Sequence, residues 1–497
     1  MRKWLPASFY NPITLIGTAV ATASFAIILL LTILEAFSSK QSPYLGIITF
    51  IVLPAILILG LLLIAFGIYR EHFRERHGRH RDERLPKIDL NDPKQRRAVT
   101  IFTVGTILLL IFTAFGSFKA YDYTESVEFC GTICHKVMNP EYVSHENSPH
   151  ARVPCVACHI GPGTTWYVRS KLSGAYQVYS YIFNKYSKPI PTPVANLRPA
   201  TGTCEQCHWP NAFYSKMEKK KVYFLSDEKN SRMTLTLLIN NGGGNEEAGV
   251  TSGIHWHMNI ANKITYLAAD SSRQVIPWVK IESKNGKETI YRSTDIPVSK
   301  EQLKNGKYRT MDCIDCHNRP THVYSPPASS VNDMMADGFI DTTLPYIKSI
   351  SVRALDAGYS SKPIALDSIK TFIEEFYQGN YPTVFAAKKA SIENSIKKVQ
   401  KIYSLNYFPS MNVSWKKYPN NIGHLYSPGC FRCHDGKHVS KDGKIITKSC
   451  TACHTILAQQ FGNEKPELSL EGINYRHPID IGNSWKETKC SDCHGKN

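Results

Sequence analysis

The chain has 497 residues, a formal net charge of +18, 42% apolar residues and 14 cysteines. That length accommodates two to four domains. The positive charge is divided between two regions: residues 1–118 hold 13 Lys and Arg against 7 Asp and Glu, and residues 119–497 hold 46 against 34. It therefore does not by itself call for a nucleic-acid partner.

Three long apolar runs open the chain: Pro12–Phe37, Pro43–Tyr69 and Val99–Phe118. At about 1.5 Å per residue, roughly 20 helical residues cross a hydrocarbon layer of about 30 Å. All three runs meet that length. Pro54 predicts a kink in the second, as spanning helices tolerate. The first run is too long for a signal peptide, and a second span follows almost at once, so it reads as a retained anchor. Residues 70–97 carry ten Lys and Arg, which places this loop in the cytoplasm. The third span then exits outward, and everything after Lys119 is extracytoplasmic. His72, His77 and His80 fall in the charged inner loop and read as solvated. Glu35, at the outer end of the first span, reads as an interfacial side chain.

Beyond Lys119 the cysteines follow one rule. They form seven pairs, each followed at once by a histidine: Cys130/Cys134/His135, Cys155/Cys158/His159, Cys204/Cys207/His208, Cys313/Cys316/His317, Cys430/Cys433/His434, Cys450/Cys453/His454 and Cys490/Cys493/His494. This is the c-type haem attachment pattern. Two thiols hold the porphyrin covalently, and the next side chain reaches the iron. Seven matches with no cysteine left over disfavour a disulfide framework or a zinc array. The haem propionates would offset the basic excess of the outer part, so no nucleic-acid partner is expected.

The fold expected is a membrane-anchored multihaem cytochrome c. Three N-terminal transmembrane helices (1–118) precede a mostly α and irregular, haem-packed outer domain with a small β insertion. Its segments are 119–210 with haems 1–3, 211–310 as the β-rich insertion supplying distal histidines, 311–410 with haem 4 and a helical stretch, and 411–497 with haems 5–7. Short β-branched and aromatic runs at Lys221–Leu225, Met233–Ile239, Lys263–Ala268, Val275–Ile281 and Thr289–Tyr291, split by turn residues, predict the strands. Ser329–Ser404 predicts helices, most strongly over Ile369–Tyr377 and Ala386–Ile402.

Low-spin haem needs two axial ligands. Eight histidines lie outside the motifs in the outer part: His145, His150, His255, His257, His322, His424, His438 and His477. This nearly matches the seven irons. His255 and His257 would share one face of a strand and could serve two neighbouring haems. His322 and His438 sit too close to their own motifs to loop round and are expected at an adjacent haem. His145 is expected to ligate, and His150 is the expected surplus. Haem 1 has a three-residue spacer and Met138 close by. Met138 is the expected haem 1 ligand, which leaves His135 free of that role. A thioether ligand would raise this haem's potential.

Haem 1 begins soon after the third span, close to the bilayer. Residues Asn147–Cys204 contain no Asp or Glu, but they do contain Arg152, Arg169, Lys171, Lys185, Lys188 and Arg198, with aromatics from Trp166 to Tyr186. Cationic and aromatic side chains together suit a helix at the headgroups, under which a quinol could enter.

On Cys130…Cys134-His135…Met138, Ser144-His145-Glu146-Asn147-Ser148, Cys155-Val156-Ala157-Cys158-His159-Ile160, Trp166, Arg169/Lys171 and Cys204-Glu205-Gln206-Cys207-His208, the chain resembles the NapC/NirT family of membrane-anchored multihaem quinol dehydrogenases. The resemblance covers about 110 residues. It implies oxidation of menaquinol at haem 1, with Met138, Arg169 and Lys171 at the quinol site. It implies electron delivery to periplasmic c-type cytochromes, exchange with the membrane quinone pool and an inner-membrane location. A homo-oligomer is compatible with this layout. The family's lysine position holds Arg169 here, which cannot release its proton, and its acidic partner is missing from 147–204. The rival readings are an electron-relay subunit of a larger complex and a terminal reductase of the nitrite or hydroxylamine type.

Overall fold

The computed structural model describes residues 11–37, 52–76, 125–133, 135–161, 163–194, 198–209, 215–243, 252–258, 262–283 and 285–495, with isolated positions between 48 and 123. The third apolar run lies almost wholly outside these residues, as do Cys134, His77 and His80; Glu35, His135 and Lys171 are described by their backbone alone. The chain forms two compact units, Met1–Ser126 with His159–Val178, and Val127–Cys158 with Tyr179–Asn497.

In the first unit, α1 (Pro12–Phe37) and α2 (Leu53–Arg76) pack side by side. Both contain a stretch long and apolar enough to cross a membrane, Pro12–Leu31 and Leu53–Arg74. Small residues set their approach. A Cβ on Gly17 would lie 2.8 Å from the Gly60 carbonyl, and one on Gly60 would lie 2.8 Å from the Ala21 nitrogen. At the other end the Asn11 amide donates to the Gly67 carbonyl at 3.1 Å. These contacts make the pair antiparallel. Ile16, Phe25 and Leu62 on the outer faces are 59%, 59% and 61% exposed. Close small-residue packing with an apolar exterior is how helices associate in lipid. His72 is exposed near the end of α2, as expected for the charged loop.

In the second unit, α3 (His135–Glu146) follows one π-helical turn at Phe129–Ile133. The next long helix, α4 (Thr164–Ile182), belongs in part to each unit. Then come β1 (Met217–Phe224), β2 (Arg232–Ile239), β3 (Asn262–Leu267), β4 (Trp278–Ser283), β5 (Glu288–Ser293) and β6 (Tyr308–Thr310). Every run expected to be a strand is one. The asparagine–glycine signal at Asn285-Gly286 turns β4 into β5, with Gly286 at φ 77°, where a Cβ would be strained.

Four long helices follow, α5 (Pro327–Ala336), α6 (Ile347–Asp356), α7 (Lys362–Asn380) and α8 (Lys389–Asn406), with a short helix Pro382–Ala387 between the last two. Ile369, Ile373 and Tyr377 line one face of α7, and Ile392, Ile396, Val399 and Tyr403 line one face of α8; all are buried. This spacing of three and four residues brings both stripes into one core, which Phe224 of β1 joins. The turn after β1 is pinned to the bundle by Asn230. Its amide donates to the Leu344 carbonyl at 2.8 Å and its oxygen accepts from the Lys348 nitrogen at 3.0 Å.

The C-terminal third adds β7 (His438–Ser440), β8 (His454–Phe461) and β9 (Glu467–Leu468). The strands assemble into two antiparallel sheets, ordered β1-β2-β8-β9 and β6-β3-β4-β5-β7. The β insertion therefore does not close on itself: β7 and β8 come from the segment of the last three motifs. The outer part also carries more regular structure than expected. Its largest core is made of side chains from α5 to α8, without any cysteine or histidine.

Candidate functional site

The described cysteines, all except Cys134, form no disulfide among the described residues. The attachment motifs are short helical turns, such as Cys313–Cys316, Cys450–Ala452 and Cys490–His494. A turn of this kind puts both thiols and the following imidazole on one local surface.

Each of the last five motif histidines faces a second imidazole. Ring centres are 6.0 Å apart for His150 and His208, 6.4 Å for His255 and His317, 5.7 Å for His257 and His434, 6.2 Å for His424 and His454, and 6.3 Å for His477 and His494. Two metal–imidazole bonds of about 2 Å, with about 1.2 Å from each nitrogen to its ring centre, require about 6.4 Å. Four of the spacings, from 6.0 to 6.4 Å, therefore fit one iron between the pair; His257 and His434 lie closer. For His257 and His434 the facing Nε2 atoms are 3.5 Å apart, about half an ångström less than an intervening metal requires.

Hydrogen bonding selects the nitrogen left over. Nδ1 of His150, His255, His257, His434 and His477 lies 3.1, 3.0, 2.7, 2.9 and 2.8 Å from the backbone carbonyls of Pro320, Asn241, Ile254, Thr447 and Ile479. A neutral imidazole donating from Nδ1 keeps its lone pair on Nε2, the usual outer-shell pattern of metal-bound histidine. Burial also holds His257, His317, His424, His454 and His494 below the ordinary imidazole pKa, so these rings are neutral and able to ligate near pH 7. Nδ1 of His424 and of His454 is buried with no hydrogen-bond partner among the described residues.

The structure changes three expectations. His150, taken as surplus, is the ring facing His208. His145 is 4% exposed; its Nε2 lies 2.9 Å from the Val153 carbonyl and is used there, while its Nδ1 is buried with no hydrogen-bond partner among the described residues. His438 is 1% exposed, with Nδ1 2.9 Å from Asp435 Oδ1 and Nε2 2.7 Å from the Ile276 carbonyl. Both of its nitrogens are occupied in holding β7, and none is left for iron. Spacing along the chain cannot reveal this, because the fold decides which acceptor meets each ring: Val153 lies 8 residues from His145, and Ile276 lies 162 from His438.

His322 lies against α3, with Nδ1 3.1 Å from the Glu141 carbonyl and 3.3 Å from Ser144 Oγ. Met138 is half-buried on α3. Arg169 is exposed on α4, its guanidinium 5.5 Å from the Trp166 ring centre. The same helix leaves Leu172, Tyr176 and Ile182 at 69%, 66% and 67% exposed, the composition expected of a surface lying in headgroups.

One polar cluster was not foreseen. Glu141, three residues after Met138 and so on the same side of α3, has its carboxyl pKa raised by burial. Arg319 is 8% exposed, its guanidinium 3.9 Å from the Tyr418 ring centre and 6.0 Å from that of Tyr324. Glu141 precedes the stretch free of acidic residues, and Arg319 arrives from 178 positions away, so sequence spacing gave no sign of the group.

Comparison with known proteins agrees with this geometry. Residues 92–190 match the NapC/NirT cytochrome c family, N-terminal region. The cytochrome c-type protein ImcH of Geobacter sulfurreducens is 41% identical over 486 residues, covering 98% of this chain and 95% of that protein. The cytochrome c nitrite reductase subunit NrfH of Nitratidesulfovibrio vulgaris is 29% identical over 133 residues, 26% of this chain and 80% of that protein. No solved structure matches the chain. Proteins of this kind carry covalently bound c-type haem and transfer electrons at a membrane. A near full-length relative, a matching family segment and an apolar helical anchor together show that the chain belongs to the NapC/NirT cytochrome c family, as an ImcH-like multihaem cytochrome.

Proposed function

We propose that the chain is a quinol dehydrogenase of the cytoplasmic membrane. It holds seven c-type haems on the outer side and delivers electrons to periplasmic c-type cytochromes in anaerobic respiration. The observation that carries this reading is the set of five facing imidazole pairs, each including a motif histidine. Covalently held haem supplies one-electron ferric/ferrous chemistry when bound. The protein residues fix its place and tune it. His208, His317, His434, His454 and His494 serve as proximal ligands, and His150, His255, His257, His424 and His477 as their distal partners. His322, held against α3, is offered to the first two sites. Met138 serves the first.

Menaquinol gives up two electrons and two protons. Its electrons enter singly near Met138, and its protons leave on the outer side. The exposed apolar face of α4 receives the quinol from the outer leaflet, and Arg169 and Lys171 steady the polar ring. Arginine holds its proton at any working pH, so it positions the quinol without accepting a proton. A terminal reductase needs an iron with an open position; the five paired sites offer none. This favours electron transfer over reduction of nitrite or hydroxylamine by the chain itself.

The test uses the whole protein in liposomes, anaerobically, with a menaquinol analogue. Haem absorbance should show reduction in the wild type and a loss of rate of at least tenfold in Met138→Leu. Absence of reduction in the wild type would leave the relay reading in its place.

A further inference from the structure

The attachment segments meet one another in chain order. The Cys130 and Cys155 thiols are hydrogen-bonded neighbours, and Cys158 lies close to Cys204 and Cys207. His150, five residues before the second motif, faces His208 of the third. Cys204 and Cys313 are close neighbours, which joins the third site to the fourth.

The fourth and fifth sites share one short element. Ile254–Met258 is a single 3-10 turn, with His255 facing His317 and His257 facing His434. Arg432, inside the fifth motif, donates to the Asp315 carbonyl inside the fourth at 2.7 Å. Beyond it, Cys430 and Cys453 are close neighbours, and His424, six residues before the fifth motif, faces His454 of the sixth. Lys448 Nζ reaches the Lys486 carbonyl at 2.8 Å, which joins the sixth segment to the seventh. Lys489 Nζ also reaches the Phe431 carbonyl at 3.2 Å, so the last segment touches the fifth as well.

We propose that the sites form a file in which the fourth, Cys313/Cys316/His317, joins the first three to the last three, and that Cys490/Cys493/His494 is the outlet. The outlet segment is open to solvent: Cys493 is exposed, and Ile479 and Leu470 are 63% and 92% exposed. A small soluble one-electron carrier with an apolar contact patch suits it. At the outlet one electron leaves and reduces the carrier by one, with no bond made or broken. The inference rests on the proposed quinol chemistry, and its tests separate the two.

The experiment compares full-length wild type, Cys313→Ala/Cys316→Ala and Cys490→Ala/Cys493→Ala in liposomes, each checked for six haems per chain in the variants by the pyridine haemochrome. With a menaquinol analogue, the bridge variant should stop at about half of its remaining haem reduced, while dithionite reduces all of it. The outlet variant should have all of its remaining haem reduced by the menaquinol analogue, but pass electrons to a soluble cytochrome at least tenfold more slowly. Full quinol reduction of the bridge variant, or undiminished hand-over by the outlet variant, would overturn the proposal. Failure of the wild type to be reduced would refute the quinol reading instead. Should a cofactor-free variant not accumulate, His255→Met and His477→Met retain the haem. Optical redox titration should then show one shifted haem in each, with slowed filling of the last three sites only in His255→Met; unslowed filling would also overturn the file.

Discussion

The imidazoles of His255 and His317 lie within 5° of parallel, with ring centres 6.4 Å apart. Two residues along the same turn, the rings of His257 and His434 cross at 81°. Parallel planes donate into one iron d orbital and split the pair; crossed planes donate to both and leave them nearly equal. The fourth and fifth sites should therefore differ in electron paramagnetic resonance. The His255/His317 and His424/His454 sites, at 5° and 18°, should give rhombic low-spin signals. The His257/His434 and His150/His208 sites, at 81° and 74°, should give highly anisotropic ones. His257→Met should remove one anisotropic signal and leave the rhombic ones intact.

The reassignment of the third site is checked by a matched pair of variants. His150→Met should alter one haem's spectrum and raise its potential, since thioether ligation favours the ferrous state. His145→Gln should leave every haem signal in place and cost stability alone, about 1–3 kcal/mol, because it disturbs a buried hydrogen bond to the Val153 carbonyl. A lost low-spin signal in His145→Gln would refute the assignment.

His438 should behave as His145 does. With one nitrogen on Asp435 and the other on the Ile276 carbonyl, it ties β7 to the loop before β4. His438→Gln should retain all seven haems and melt earlier, measured by thermal unfolding in detergent. Loss of a bis-imidazole signal would contradict this.

Asp315 lies between the two cysteines of the fourth motif, with its side chain 1% exposed. Its carboxylate accepts from Arg309 Nε at 2.7 Å, Tyr266 Oη at 2.7 Å and the Asp312 nitrogen at 2.8 Å. Asp315→Asn removes the charge and leaves the partly exposed Arg309 beside it without its carboxylate. Losing charge-assisted hydrogen bonds of this kind costs about 1.5–3 kcal/mol. Reduced haem content confined to the fourth site, measured on tryptic peptides, is the expected readout.

Lys348 is 3% exposed, donates to the Ala328 carbonyl, and has its pKa lowered by burial from 10.5 to about 7. Between those values the unfolded chain binds the additional proton. Stability of the helical core should therefore rise with pH from about 7 to 10.5 and stay flat, in this respect, below 7. Hydrogen exchange in α5 and α6 at pH 7 and 9 reads the difference, and Lys348→Met should flatten it.

Much of this was legible from one dimension. Covalent attachment depends on near neighbours, so the motifs declare themselves. Alternating and three-to-four spacing gave β1 to β5 and the helices around Ile373 and Val399. Distal ligation does not depend on near neighbours. His150, His145 and His438 differ only in which carbonyl comes within reach, and Val153, Ile276 and Pro320 are brought there by the fold. β7 and β8 were missed for a related reason. They begin within a few residues of an attachment histidine, where the motif dominates the pattern, and their partners β5 and β2 lie more than 140 positions earlier.

The bundle of α5 to α8 is closed by aliphatic and tyrosine side chains and contains no cysteine or histidine. Its ordering thus does not wait for iron. A folded nucleus between the fourth and fifth attachment motifs can therefore form while the thiols are still unmodified. Haem insertion on either side can then proceed from a chain whose two halves are already held in register.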